Sequence, residues 1–133
     1  MSTPVFELKE LANGQVDQYV VANESLRALE NSVGGSIVID FAADANYTLT
    51  DSAPAFDYQD EWRYKHIEFT DIAVPLTAGR DVIFPAKGGH EYIITNSTGF
   101  TLTLKVSGQT GVTIADGVTG RYYFDGADIV AGP

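Results

Sequence analysis

The last third of the chain, Glu91 to Val130, constrains the fold most strongly because apolar and polar residues alternate along it. Leu102, Leu104 and Val106 are each separated by one polar residue, which is typical of a strand with one buried face. Two Asp-Gly pairs further along indicate turns, since glycine and, less readily, aspartate tolerate positive φ. We therefore predict a β-meander over this stretch.

The size and composition of the chain bound the classes of protein to which it can belong. The length of 133 residues predicts one domain with its own hydrophobic core. It has no cysteine, which excludes disulfides and cysteine-based metal sites. The N-terminus shows no secretory signal, and no stretch approaches the roughly 20 apolar residues of a membrane span.

The formal net charge of −10 bears on partners. Nucleic acid is disfavoured because phosphate contacts need clustered lysines and arginines. We therefore expect no direct nucleic-acid partner and no membrane partner. Solubility is the favoured explanation of the acidity, and docking onto a basic surface or holding Ca²⁺ or Mg²⁺ is the alternative.

Residues 1–14 are expected to form an extended N-terminal arm. Pro4 disfavours a helix just before it, and Phe6, Leu8 and Leu11 have little local structure to bury them. Such an arm packs either on the sheet of its own domain or on a neighbouring subunit.

The only convincing helix is predicted at about residues 16–32, and Gly34-Gly35 is expected to end it. Its apolar residues recur at steps of three and four, which places them on one stripe. The spacing also fits a coiled coil, but it covers barely two heptads, so we favour a helix lying across the sheet. The stripe consists of Tyr19, Ala22, Leu26, Leu29 and Val33.

Short strand-like segments follow the helix at even spacing, a pattern typical of a sandwich or small barrel. We predict a mainly β fold, a small antiparallel β-sandwich or barrel with one N-terminal α-helix, in a single domain over residues 15–133. The segments before the last third are 36–41, 47–50, 62–69, 74–76 and 81–84.

Motifs for catalysis or ligand binding are scarce. His66 and His90 lie outside any spacing typical of zinc, and neither a serine nucleophile motif nor a phosphate-binding loop is present. Trp62, Tyr58 and Tyr64 are candidates for a sugar-binding platform, although aromatic residues in strands more often belong to a core or an interface.

Carboxylates cluster in the loop before residue 62, where Asp51, Asp57, Asp60 and Glu61 lie. A glycosidase-like pair needs two carboxyl groups at a fixed separation across a cleft, and a proline-containing loop is a poor support for one. The cluster also lacks the pattern of a calcium-binding loop. We favour a solvated acidic loop and expect no catalytic residues, no metal and no cofactor.

Three successive aromatic residues, Tyr122, Tyr123 and Phe124, must place rings on both faces of a strand. One face is expected to join the core. The other would be exposed on a monomer and is better explained by a partner subunit. We interpret the three residues primarily as a subunit contact.

Two stretches resemble virion proteins of tailed bacteriophages. Residues 11–33 resemble the opening segment of tailed-phage and gene-transfer-agent virion proteins, through Gly14-Gln15, Asn23-Glu24 and the run from Leu26 to Glu30. Residues 69–130 resemble a small β-module of phage fibres, spikes and capsid-attached proteins. The positions that match this module are Leu76-Thr77, Pro85, Tyr92, Asn96, Thr98, Leu102 to Lys105, Thr110 to Val112 and Phe124 to Gly126.

The resemblance implies a non-enzymatic structural protein of the phage virion. The chain ends at Pro133, soon after the module, without the shaft or receptor-binding head of a fibre. We therefore expect a capsid decoration (cement) protein that binds the outer lattice of the major capsid protein as a homotrimer and stabilises the head. A short head or tail fibre, spike or adaptor that contacts the host is the alternative, followed by a carbohydrate-binding module.

These expectations name a set of interface residues. They comprise apolar residues of the arm, two residues of the helix and the aromatic run of the last third: Phe6, Leu8, Leu11, Tyr19, Leu26, Tyr122, Tyr123 and Phe124.

Overall fold

A computed structural model describes residues 18–88 and 91–132, with side chains from residue 22 onward. The arm residues Phe6, Leu8 and Leu11 and the side chain of Tyr19 lie outside this part of the chain. One α-helix, one 3₁₀ turn (Glu61–Arg63) and nine strands are present in it. These are α1 (Gln18–Gly34), β1 (Ser36–Asp40), β2 (Tyr47–Thr48), β3 (His66–Thr70), β4 (Arg80–Phe84), β5 (Glu91–Ser97), β6 (Leu102–Val106), β7 (Val112–Ile114), β8 (Thr119–Phe124) and β9 (Ile129–Ala131).

The strands form two sheets, and the chain changes sheet after each of its first five strands. One sheet has the order β1-β3-β5-β8-β9, and the other has the order β2-β4-β6-β7. The chain thus winds through its first six strands as a flattened coil, with two strands in each turn. The mainly β class with one N-terminal helix is confirmed, and the sheets form a small sandwich instead of a closed barrel.

The predicted antiparallel pairing holds for only part of the sandwich. Strand pairs β5/β8, β6/β7 and β8/β9 are antiparallel, whereas β1/β3, β3/β5, β2/β4 and β4/β6 are parallel. The coil explains the difference. Because each early strand is followed by one in the opposite sheet, the chain returns to the first sheet in the original direction. Parallel pairs thus form without a crossover helix.

The core lies between the two sheets and is built by the period-two pattern of the strands. Leu102, Leu104 and Val106 all point inward and are buried, as predicted. Ile67 and Phe69 of β3 face them from the opposite sheet, and Phe84 and Tyr92 meet ring edge to ring face with centroids 5.0 Å apart.

The predicted meander of the last third is wrong in its connectivity. β5 and β6 follow each other in the chain but belong to different sheets. Only β6/β7 and β8/β9 are hairpins between neighbouring strands. Hydrophobic alternation gives the buried face of each strand, but it does not say which sheet the strand joins.

Two predicted strands are also corrected. The segment 62–69 begins as a 3₁₀ turn, in which the Arg63 N–H donates to the Asp60 carbonyl at 3.1 Å, and becomes a strand only at His66. The segment 74–76 is a loop. The backbone N–H of Leu76 donates to the Asp71 carboxylate at 2.9 Å instead of to a neighbouring strand.

Candidate interaction surfaces

Helix α1 packs against the 3₁₀ turn and the loop before it, so the prediction that it lies across the sheet is wrong. Asn31 bonds the helix to the chain segments before and after the 3₁₀ turn. Its side-chain amide donates to the Tyr58 carbonyl at 2.8 Å, and its carbonyl accepts from the Lys65 N–H at 2.9 Å. The small residues Ala28 and Ser32 are buried on the same face.

The end of the helix is fixed by a close approach that only glycine permits. The Gly35 N–H donates to the carbonyl of Asn31 at 3.0 Å. A Cβ atom on Gly35 would lie 2.5 Å from the Asn31 Cα, which is closer than two non-bonded carbon atoms can approach. The predicted helix end at the glycine pair is therefore confirmed.

The apolar stripe of the helix points away from the domain. Leu26 is 56% exposed, Leu29 is 37% exposed and Val33 is 72% exposed. The stripe that the sequence suggested as a core-facing surface is therefore not covered by residues 18–88 or 91–132, while Ala28 and Ser32 form the contact with the domain. We call Leu26, Leu29 and Val33 the helix stripe. Leu26 was an expected interface residue, and Leu29 and Val33, which the sequence pattern assigned to a core-facing stripe, are exposed beside it.

The aromatic run on β8 divides between the two faces of its strand. Tyr122 is 6% exposed and belongs to the core, and Phe124 packs against the same core. Tyr123 faces the opposite way and is 39% exposed. The interpretation of all three as a subunit contact first and core second is corrected for Tyr122 and Phe124. Tyr123 alone remains a candidate contact residue.

The carboxylates of the acidic loop hold the loop itself together. Asp60 is buried and accepts hydrogen bonds from the N–H and hydroxyl of Ser52 at 2.9 and 2.7 Å. Glu61 accepts from the Tyr47 hydroxyl at 2.7 Å and from the Thr50 N–H at 3.0 Å. Burial and the neighbouring Glu61 raise the pKa of Tyr47. The favoured solvated loop is therefore wrong for Asp60, which is a structural residue.

Asp51 and Asp57 have structural partners as well. Asp51 forms an ion pair with Lys87 at 2.9 Å. The Asp57 carboxylate accepts from the Gln59 N–H at 2.8 Å. Within residues 18–88 and 91–132, no group of three or more histidine or acidic side chains is placed to hold a metal ion.

The suggested sugar-binding platform is not assembled. Trp62 is completely buried in the core. Its carbonyl accepts a hydrogen bond from the Tyr92 hydroxyl at 2.7 Å, and the Arg63 guanidinium lies 4.6 Å from its ring. Tyr58 instead stacks with Arg27 of the helix, whose guanidinium carbon is 5.3 Å from the ring centre. The preference for core aromatic residues is confirmed at Trp62.

A shallow cavity of about 230 Å³ opens on the outer face of the five-stranded sheet. Neighbouring hydroxyl and carboxylate groups already pair with one another there. Thr95 and Thr119 share a hydrogen bond of 2.8 Å, and Ser97 donates to Glu68 at 2.8 Å. His66 also lines the cavity, whereas His90 lies outside the described residues. The lining of the cavity is mostly polar.

Comparisons with known proteins identify no family for this chain. No protein-family model, no curated protein sequence and no solved structure matches the chain. In the part of the chain that the structure describes, no helix is long and apolar enough to cross a membrane.

Proposed function

We propose that this protein is a non-enzymatic structural protein of a phage virion, a capsid decoration protein that binds the outside of the major-capsid lattice as a homotrimer. The resemblance of residues 11–33 and 69–130 to phage virion proteins supplies the virion context. The observation that carries the proposal further is the exposed helix stripe on a tightly packed sandwich.

The helix stripe supports a binding role because monomeric soluble proteins rarely expose several apolar residues side by side. The two-sheet core buries large side chains from both sheets and does not include the residues of the stripe. A rigid body with a separate apolar contact is what a decoration protein requires.

The mechanism would be mechanical. Each subunit would bury its arm and its exposed apolar side chains against neighbouring molecules across the boundaries between capsomers. Individual interfaces of modest area would add up over the shell because many are engaged at once. The loop carboxylates stabilise the platform in this account, since they accept hydrogen bonds from its backbone and hydroxyl groups.

The proposal is tested by adding purified protein to capsids of the same phage that lack it and measuring the bound fraction by sedimentation. The full chain should bind to saturation. A chain without residues 1–12 should keep its β circular-dichroism spectrum and lose capsid binding. Undiminished binding would contradict the docking role of the arm, and failure of the full chain to bind would contradict the decoration role.

A further inference from the structure

The cavity on the outer face of the five-stranded sheet is built by side chains of four neighbouring strands. His66 and Glu68 both point outward, since they lie two residues apart on β3 and the residue between them is buried in the core. Strand pairing places Ser36 and Ile93 on either side of His66, and Thr95 beside Glu68. The cavity therefore spans two rows of side chains whose spacing is fixed by the sheet.

The size of the cavity suits a small ligand. Neighbouring strands lie about 5 Å apart, and side chains two residues apart on one strand are separated by about 6.6 Å. The volume of about 230 Å³ is below the roughly 300–1,000 Å³ of pockets that hold drug-sized ligands. The cavity therefore has room for a single small ring and not for a larger cofactor.

The polar groups of the cavity can both donate and accept hydrogen bonds. The Glu68 carboxylate accepts only, and Ser97 occupies one of its oxygens, Oε2. The Ser36 hydroxyl donates or accepts, and a neutral imidazole such as that of His66 offers one donor and one acceptor. Within residues 18–88 and 91–132, the side chains of Ser36 and His66 have no hydrogen-bond partner. They are therefore available to a ligand.

The hydroxyl groups of Thr95 and Thr119 bond to each other at 2.8 Å. Only one of their two hydroxyl hydrogens is used in this bond, so the other can be donated to a ligand. Ile93 adds an apolar contact between these polar groups. The mixture of donors, acceptors and one apolar contact matches a ligand that carries several hydroxyl groups on a carbon ring.

Charge disfavours the ionic classes of ligand. An anion would meet the Glu68 carboxylate on a chain whose formal net charge is −10. A cation would lie close to Arg121, which is opposite Ile93 on the next strand and on the same face of the sheet. In the part of the chain that the structure describes, no group of three histidine or acidic side chains is placed to hold a metal ion.

We infer that this cavity binds one unit of a neutral saccharide. The hydroxyl groups of the sugar donate to the Glu68 carboxylate and accept from Ser36 and His66. The C–H groups of its ring pack on Ile93. The sheet holds these side chains in place before the ligand arrives, which lowers the entropic cost of binding. This binding activity lies outside the proposed decoration role and does not depend on it.

The test is an NMR titration of the isotope-labelled full chain with glucose, galactose, mannose and N-acetylglucosamine. At least one sugar should shift the amide signals of the strands that line the cavity, and the shifts should saturate with a Kd on the order of 1 mM, since few contacts are made. Glu68→Gln should weaken binding about tenfold, because a charged acceptor forms the stronger hydrogen bond. Asp81→Asn is the matched control and should bind like wild type, since Asp81 is a carboxylate on the outer face of the other sheet.

A second variant keeps the inference testable if Glu68→Gln does not fold. Ser36→Phe places a ring in the cavity from an exposed position on the edge strand β1, and it should abolish sugar binding while the β circular-dichroism spectrum is kept. The source of the sugar is distinguished with a purified neutral cell-surface polysaccharide. Binding that is at least tenfold tighter than that of its own monosaccharide identifies a glycan as the ligand, and equal affinity identifies the free sugar.

The outcomes separate the inference from the proposed function. The inference is overturned if no sugar and no polysaccharide gives saturable shifts, if binding survives Ser36→Phe, or if methylammonium or inorganic phosphate binds in place of the sugars. Glu68→Gln should still saturate capsids in the sedimentation assay. Loss of capsid binding in this variant would place the cavity in the capsid contact and contradict a sugar site, whereas failure of wild type to bind capsids contradicts the decoration role alone.

Discussion

The side-chain amide of Asn96 on β5 donates a hydrogen bond of 2.9 Å to the carbonyl of Ile114 on β7, and so joins the two sheets of the sandwich. The same amide donates to the Phe100 carbonyl at 2.6 Å, and the Asn96 side-chain oxygen accepts from the Thr98 hydroxyl at 2.7 Å. Asn96 is fully buried. A single polar residue thus satisfies several buried groups at one end of the core.

Replacing Asn96 with alanine is expected to lower the free energy of unfolding by about 3 kcal/mol, because buried partners lose their hydrogen bonds. Urea unfolding followed by tryptophan fluorescence measures the change. Ser97→Ala is the control, since Ser97 is exposed and its hydroxyl donates to Glu68 at the surface; it should cost well under half as much. Equal losses for the two variants would contradict the bridging role of Asn96.

Gly111 precedes β7 in a conformation that excludes other residues. Its φ is +75°, and an added Cβ would lie 2.5 Å from the Leu104 carbonyl oxygen. Gly111→Ala is expected to destabilise the fold by about 3 kcal/mol, since backbone strain and a backbone clash add. Gly117 has nearly the same φ, +76°, but open space around it. Gly117→Ala should cost only about 1 kcal/mol, and thermal unfolding that ranks the two variants the other way would refute this account.

Asp128 should make the stability of the fold depend on pH. Burial raises the pKa of its carboxyl group, but hydrogen bonds from the backbone N–H groups of Val106, Gly111 and Ile129 outweigh burial and hold that pKa below its ordinary value of 3.8. The ionised carboxylate therefore stabilises the folded state above this value, and the contribution is lost as the pH falls through the lowered pKa.

The measurement is the free energy of unfolding of wild type and Asp128→Asn between about pH 6 and about pH 2.5. The variant should be less stable at the upper end, and the difference should shrink toward the lower end. Ile72→Ala changes an exposed side chain that carries no charge and should run parallel to wild type. A constant difference for Asp128→Asn over the whole range would be inconsistent with the assigned role of its charge.

Tyr122 and Tyr123 are neighbours with opposite surroundings, which gives a matched pair of variants. Tyr122→Ala should lower the free energy of unfolding by about 3 kcal/mol, because a buried ring leaves a cavity. Tyr123→Ala should change it by less than about 1 kcal/mol, since its ring is 39% exposed. Chemical denaturation distinguishes them, and a larger loss at Tyr123 would show that the two faces are assigned the wrong way round.

Local patterns made much of this fold predictable. The alternation at Leu102, Leu104 and Val106 marked a buried face correctly because strand geometry alone sets it. The parallel pairing of β3 with β5 could not be inferred in the same way. It depends on the sheet to which each loop returns the chain, and the alternation within a strand does not specify that sheet.

The helix illustrates a second limit of sequence patterns. Periodicity at Leu26, Leu29 and Val33 identified an apolar stripe, but it does not say what covers the stripe. Small residues permit the closest packing between elements, and Ala28 with Ser32 forms the contact with the domain. The stripe that we expected in the core is thus exposed. The sequence feature that indicated this arrangement is the face of small and polar residues on the opposite side of the helix.

The most direct test of the central claim is the copy number of this chain in purified virions, measured by quantitative mass spectrometry against the major capsid protein. A decoration protein at the three-fold positions of the lattice should be present in a number of the same order as the major capsid protein itself. A number sufficient only for one vertex or one tail, far below that of the capsid subunits, would contradict the decoration role and favour a fibre or adaptor.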